Sequence, residues 1–303
     1  MIKVIYIEGD QCIDPVTKHL IKVFKESGLA YEYHINKGVQ TMNISVLVGQ
    51  FPITFNIYEN LNNIKLILEK SYKDDLIVLP EGALSGYSDD IAFLEDVNVE
   101  DLKNAMKLLK EEVINREIHL IFGSCIFEKE VWYNAAICYS YNNADFIYKK
   151  LNLAFHERGH FKKGEKLEVY PLKIGQTTIN LGIQLCREIR FPEQWRWLAM
   201  NNADIFIYLT NAVQGKGLSV WRSHLVSRAA ENQRFLISSN NAHITQHCPT
   251  MLIAPDGEII EEILSDKLCC VRRQIEINQV SNWYISQHRN DIVKLINGRI
   301  ERQ

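Results

Sequence analysis

No stretch of the 303-residue chain offers the roughly 18 consecutive apolar residues that a membrane-crossing helix needs. No cationic-then-apolar segment opens it either, so neither a membrane partner nor secretion is expected. Charge of one sign is also lacking. Lys and Arg number 34 against 37 Asp and Glu, a net charge of -3 that gives a polyanion no foothold. Nucleic acid is therefore excluded as the main ligand. Signatures G-x-G-x-x-G, G-x-x-x-x-G-K-[ST] and G-x-S-x-G are absent, which removes motif support for nucleotide binding and serine hydrolysis. The seven cysteines are odd in number and irregular in spacing, so a disulfide framework is not expected and a reducing cytoplasm is. Cys269 and Cys270 read as buried free thiols. His243, His247 and Cys248 have metal-like spacing but lack a partner pair, so no metal is expected.

What is present suits a large buried core: 47% of the residues are apolar and 23% charged. The length fits one large domain with a small appendage. Residues 1–42 read as a β-α-β piece: "IKVIYI", a helix from Asp14-Pro15 to Gly28, then "LAYEYHI". From 43 to 303 strand and helix patterns alternate, with hairpins among them. "NLNNIKLILEK" is an amphipathic helix with Leu61, Ile64, Leu66, Ile67 and Leu68 inward. "DDLIVLPE" has the unbroken apolar character of a strand buried on both faces. Asn142-Asn143 and Pro255-Asp256-Gly257 mark hairpin turns, and "DIVKLING" is a short helix in the tail. This order is α/β, with a mixed sheet in place of an all-parallel one.

Three strand ends carry pointed chemistry. Glu81 closes "LIVLP", and a carboxylate there is costly unless it is paired or used. It is either a turn residue or a general base. "DFIYKK" ends in two lysines, and residue pattern alone does not choose between Lys149 and Lys150 as an oxyanion donor. Cys186 ends "INLGIQLC" ahead of a polar turn into a helix, where following amides and a helix N-terminus would favour thiolate. It is either a structural thiol or a nucleophile. His156, His160 and His224 are alternative bases by residue type only.

At these segments the chain resembles the nitrilase, or carbon–nitrogen hydrolase, superfamily, from about Asn43 to about Ile277. "IVLPE...SGY" is similar to the family's general-base segment, and "YKKLNL" to its Y-R-K-x-H-L segment, with Asn152 in place of the histidine. "HERGHFKKGE" resembles E-x-x-x-F-x-x-G, and "GIQLCREIRFPE" the nucleophile segment G-x-x-x-C-x-[DE]-x-R-F-P-E. "LTNA", "SRAAENQRFLISSNNA" and "PTMLIAPDGEI" fit the later elements.

The resemblance implies a four-layer αββα sandwich with the N-terminal β-α-β segment added. It implies Glu81 as base, Lys150 as oxyanion donor, Cys186 as nucleophile and Glu157 as a supporting acid, with no cofactor. The expected reaction turns a small amide into acid and ammonia through a thioester. N-carbamoyl amine hydrolysis, nitrile hydrolysis, acyl transfer to another nucleophile and a non-catalytic scaffold are the alternatives. Arg187-Glu188 stands where many nitrilases have Trp-Glu, which favours the amide. Arg187, through its backbone N–H, and Asn211 of "LTNA" are expected at the substrate. Arg190 either binds a substrate carboxylate or serves a structural ion pair. "NAVQGKGLSVW" is expected to line the pocket as a mobile loop. The resemblance also implies a homodimer or larger homo-oligomer, with Trp195, Trp197, Leu198 and Met200 either at the contact or in the core.

The segment 1–42 lies outside the resemblance. Cys12 before its helix gives a faint redox reading, and an added packing or oligomer contact fits better. Deleting 1–42 is expected to reduce assembly size in light scattering; an unchanged size would remove the contact.

Overall fold

The computed structural model describes residues 3–8, 31–36, 41–213 and 217–288. Internal contacts divide the chain into Met1–Met42 and Asn43–Gln303. In the first unit, β1 (Lys3–Glu8) and β2 (Tyr31–Asn36) pair in parallel, with Lys3 opposite Tyr31. The expected helix from Asp14 to Gly28 and Cys12 lie outside the described residues, as does the tail helix at 291–298.

The second unit is built on two six-stranded sheets. In chain order its elements begin with β3 (Asn43–Gln50), α1 (Ile57–Leu68), β4 (Leu76–Val78), α2 (Phe93–Asp96), α3 (Val99–Arg116), β5 (His119–Glu128), β6 (Val131–Ser140) and β7 (Phe146–Lys149). There follow β8 (Val169–Ile174), β9 (Thr177–Leu185), a 3-10 turn (Cys186–Arg190), α4 (Pro192–Met200), β10 (Ile205–Thr210), α5 (Leu218–Asn232), β11 (Phe235–Asn240), β12 (Thr250–Ile253), β13 (Ile259–Ile263) and β14 (Cys269–Glu276). A second 3-10 turn (Ile277–Gln279) and α6 (Trp283–Ser286) close the described part. One sheet runs β14-β3-β4-β5-β6-β7 and the other β13-β12-β11-β10-β9-β8.

The period-two alternation of strand side chains sorts residues into layers. Val46, Val48, Leu76 and Val78 face Leu181, Ile183, Leu185, Ile205 and Ile207 in a core between the sheets. Leu47, Ile77 and Leu79 point the other way, onto Leu61, Ile64 and Ile67 of α1 and Leu102, Leu109 and Val113 of α3. Phe206, Tyr208, Leu236 and Met251 do the same on the far side, against Trp195 and Leu198 of α4 and Leu225 and Ala229 of α5. The result is the four-layer αββα sandwich. Each sheet is mixed: β3, β4 and β5 are parallel and the flanking pairs antiparallel, as are β9, β10 and β11 with theirs.

Local sequence explains the helix ends. Asn56 caps α1 by accepting from the amides of Tyr58 and Glu59, and Asn98 caps α3 through Glu100 and Asp101. Pro192 opens α4, where its missing amide proton costs nothing. Two details depart from expectation, and a third falls on one side of an open alternative. Leu66 is 48% exposed, because it falls off the buried stripe of α1. Cys269 and Cys270 are half-buried, since β14 is an edge strand. Trp195 and Leu198 are fully buried in their own core, leaving Trp197 and Met200 partly covered. Strand β8 escaped the sequence reading because Pro171 interrupts its pattern, and an edge strand tolerates that proline.

Gly123 of β5 lets the strand press against the turn that carries Glu81. A methyl group there would lie 2.4 Å from Cα of Glu81 and 2.6 Å from the Pro80 carbonyl oxygen. Gly123→Ala is therefore expected to lower the unfolding free energy by about 1–3 kcal/mol. Denaturant titration measures this, and an unchanged midpoint would show that the turn moves aside freely.

Candidate active site

Strand direction gathers the chemistry at one end of the sandwich. β7 runs parallel to β4, being two antiparallel steps from β5, and β9 runs parallel to β10. Glu81, Lys150, Cys186 and Asn211 all follow the carboxyl ends of these strands, where open α/β sheets form their crevices. Glu81 and Lys150 come from one sheet, Cys186 and Asn211 from the other.

Lys150 is the centre of the cluster. Its side chain is wholly buried, and Nζ donates to Glu81 Oε1 at 3.0 Å and Glu157 Oε1 at 2.9 Å. Asn134 of β6 makes a second bridge. Its Nδ2 donates to Glu81 Oε1 at 2.7 Å and to Glu157 Oε1 at 2.8 Å. Its carbonyl accepts the Lys150 amide at 2.9 Å. Tyr87 Oη donates to Glu157 Oε1 at 2.7 Å, and the Ala154 amide holds Glu157 Oε2 at 2.5 Å. Across the sheets, the Asn211 amide donates to Glu81 Oε2 at 3.0 Å.

Lys149, the other lysine of the pattern "YKK", stands apart from the cluster. It points away, paired with Glu128 at 2.6 Å and lying 4.0 Å from the Tyr133 ring centroid. Period two along β7 sends Tyr148 and Lys150 one way and Lys149 the other.

Cys186 occupies the left-handed region, with φ of 39°. A non-glycine residue held there is strained, and such strain concentrates at functional sites. Tyr208 fixes the turn by donating its hydroxyl to the Cys186 carbonyl at 2.6 Å. The thiolate expected from a neighbouring helix N-terminus is not favoured. The residues after Cys186 form a five-residue 3-10 turn, and α4 starts only at Pro192. Burial, then the negative charge of Glu81, push the thiol up to about 12, against a pull from Lys150. It is a neutral thiol near neutrality and needs a base at the moment it reacts.

Charge balance follows the same geometry. Burial would lower the Lys150 pKa, but the Glu81 and Glu157 carboxylates outweigh it and hold the ammonium charged. Burial would raise Glu157, but the Lys150 ammonium and donors from Lys150, Asn134 and Tyr87 bring it below the usual carboxylate value.

The remaining expected residues are placed as follows. Arg187 and Arg190 lie in the 3-10 turn; Arg190 is exposed, its guanidinium 5.8 Å from the Trp221 ring centroid. Asn211 accepts from Asn241 at 3.2 Å, and its Nδ2 has no hydrogen-bond partner among the described residues. His156 contacts Tyr87, 2.9 Å from Nε2 to the hydroxyl oxygen. His160 and His156 line an open cavity of about 660 Å³ with Asp89, Asp90, Glu95 and Trp132. That cavity touches the cluster through the His156–Tyr87 contact and through the His160 amide, which donates to the Glu157 carbonyl at 3.2 Å. Cys248 is buried in the core and His243 bonds Thr245; the described residues hold no cluster of three metal-ligating groups. Gln214–Lys216 of the expected pocket loop lie outside the described residues.

Asn134, Tyr87 and Glu188 were missed from sequence. Asn134 carried a usable signal, a lone amide inside the apolar run "VWYNAAIC".

The profile of the carbon-nitrogen hydrolase family matches residues 46–283, and the chain belongs to that family. It is 25% identical to a probable nitrilase of Schizosaccharomyces pombe over 244 residues, covering 77% of this chain and 88% of the relative. It is 27% identical to the 2-oxoglutaramate amidase of Bacillus subtilis over 235 residues, 70% and 83% of the two chains. An amidase from Nesterenkonia, solved as a Glu-to-Gln mutant with the acetamide moiety of fluoroacetamide added to its active-site cysteine, superposes with a TM-score of 0.70. That match has 19% identity and covers 82% of this chain and 95% of the amidase, a likeness of fold. Among the described residues no helix is long and apolar enough to cross a membrane.

Replacing Lys150 with Met leaves two buried carboxylates without their cation. A loss of about 3–5 kcal/mol in unfolding free energy is expected at pH 7. Glu157 is depressed in the fold, so its contribution is present above the ordinary carboxylate pKa and lost as pH falls through the lowered value. The penalty in Lys150→Met should therefore shrink at pH 4.5, where the unpaired carboxylates take up protons. Urea titration at both pH values tests this, and an equal penalty would contradict the charge account.

Proposed function

We propose that the chain hydrolyses the C–N bond of a small linear amide, giving a carboxylic acid and ammonia through a thioester on Cys186. The observation that carries this reading is the buried Glu81–Lys150–Glu157 cluster at the same strand ends as a strained, neutral thiol. Such a thiol is weakly nucleophilic until its proton leaves, and Glu81 is the carboxylate whose charge acts on it most strongly.

The thiol proton passes to Glu81 as sulfur bonds to the carbonyl carbon. Negative charge gathers on the carbonyl oxygen, met by the Lys150 ammonium and the Arg187 amide; each such donor contributes about 3–4 kcal/mol. The tetrahedral species collapses, the C–N bond breaks, and Glu81 returns the proton to the departing nitrogen. Water then attacks the thioester, giving its proton to Glu81, and the C–S bond breaks to release the acid and restore the thiol. Glu157, Asn134 and Tyr87 keep Lys150 charged and directed. Asn211 holds Glu81 through its main chain, and its unpartnered Nδ2 is left to donate to a substrate acceptor.

The amidase names among the relatives support an amide over a nitrile. A cytoplasmic enzyme working as a homo-oligomer belongs to the same proposal. Burial of Trp195 and Leu198 reduces the α4 surface left for pairing.

Ammonia release across ω-amides, aliphatic amides, N-carbamoyl amines and nitriles is the test. One amide class is expected to turn over, with Cys186→Ala abolishing release and intact-mass spectrometry finding the acyl group on Cys186. Full release by Cys186→Ala, or no adduct with any compound, would defeat the hydrolase reading. An adduct discharged only by an added amine or thiol would make the chain an acyltransferase.

A further inference from the structure

Among the described residues, Glu188 is the one buried carboxylate at this end of the sandwich that the hydrolytic steps do not use. It lies two residues beyond Cys186 and is fully buried. Its partners are drawn from both halves of the site. Oε1 accepts the main-chain amides of Leu151 at 2.8 Å and Asn152 at 3.0 Å, immediately after Lys150. Oε2 accepts the amide of Leu185 at 2.7 Å, immediately before Cys186. The Tyr148 hydroxyl lies 2.9 Å from both oxygens and itself accepts from Gln184 Nε2 at 3.1 Å. The Glu188 carbonyl is held by Trp195 Nε1 at 3.0 Å.

We infer that Glu188 is a positioning residue that clamps the lysine segment of one sheet to the nucleophile turn of the other. The inference rests on the reading of Cys186 as nucleophile. No β ladder joins β7 to β9, because they belong to different sheets. Side-chain hydrogen bonds must therefore fix the register between Lys150 and Cys186, and one carboxylate supplies three amide contacts to that seam. A carboxylate suits the task because every polar contact it makes is with a donor. An amide at this position would turn its own N–H groups toward one of them.

The same geometry makes the clamp responsive to protons. Burial pushes the carboxyl up to about 7, opposed by the Leu185 and Asn152 amides, then by Lys150 and Tyr148. The titratable groups facing it are Tyr148 and Lys150 from the β7 side and Cys186 in its own turn. On the α5 side, Arg228 is committed to the Ile189 carbonyl at 3.0 and 3.2 Å. Above pH 7 the clamp is charged and complete. As pH falls it gains a proton, and one oxygen loses its place as an acceptor.

The test reads the thiol directly. Iodoacetamide alkylation of Cys186 is followed by peptide mass mapping from pH 5.5 to 8.5 in wild type, Glu188→Gln and Tyr148→Phe, with hydrogen exchange at the amides of Leu151, Asn152 and Leu185. Glu188→Gln is expected to slow Cys186 alkylation roughly ten- to a hundredfold at pH 8, as misplaced reacting groups do. The two proteins should converge below pH 6, and the three amides should exchange faster in the variant. Tyr148→Phe removes one donor and is expected to give a several-fold effect; it decides the matter if Glu188→Gln does not fold. Equal rates in the presence of a reactive Cys186, or a ratio that ignores pH, would overturn the role of Glu188 alone. A wild-type Cys186 no more reactive than Cys269 would overturn the nucleophile reading and this inference with it.

Discussion

Everything at the functional end of this molecule depends on one ammonium group enclosed between two carboxylates. Lys150 cannot be buried alone, because desolvating a charge costs far more than a fold of this size can supply. Glu81 and Glu157 supply the counter-charge, yet two carboxylates against one ammonium leave the cluster with excess negative charge. That excess adds to burial in raising the Cys186 thiol and is absorbed by neutral donors: Asn134, Tyr87 and the amides of Ala154 and Asn211. The site is a charge problem solved by hydrogen bonding, and the arrangement that solves it also sets up acid–base chemistry.

The fold serves this arrangement by bringing two mixed sheets face to face with their parallel strands aligned. Neither sheet alone holds both the carboxylate pair and the thiol. Glu81 and Lys150 stand on one, Cys186 on the other. The aliphatic core between them fixes the distance between the sheets, but aliphatic side chains are poor at fixing register, since they pack without direction. Directional bonds do that at the seam: the Asn211 amide to Glu81, the Ser239 hydroxyl to the Gly49 carbonyl, and the contacts of Glu188. These bonds stand where the two sheets must agree.

The unequal legibility of the sequence follows from the same division. Strand β4 was readable because "LIVLP" is apolar at every position, and α1 because Leu61, Ile64 and Ile67 recur on one face. Local pattern could place Glu81 and Cys186 at strand ends. It could not say that those ends meet, because β4 and β9 are in separate sheets; resemblance to a family supplied that. Residue pattern alone left Lys149 and Lys150 level and the resemblance pointed to Lys150; the face of β7 that separates them in space is not revealed by "YKK". Glu188 was hidden for a different reason. Its partners are main-chain amides, which every residue carries, so no residue type elsewhere marks them.

The thiol shows how tertiary context overrides a local rule. A cysteine ahead of a helix should be acidified by the helix N-terminus, and the chain does lead from Cys186 toward α4. The 3-10 turn sets that helix back to Pro192, and burial together with the Glu81 carboxylate from the other sheet raises the thiol instead. The consequence reaches the mechanism. A preformed thiolate would attack without help and would be open to any electrophile in the cell. In the proposed mechanism, a thiol held neutral by burial and by the charge of Glu81 becomes nucleophilic only as Glu81 takes its proton. The negative charge that makes the cluster hard to bury thereby ties the sulfur's reactivity, in that proposal, to the proton transfer to Glu81.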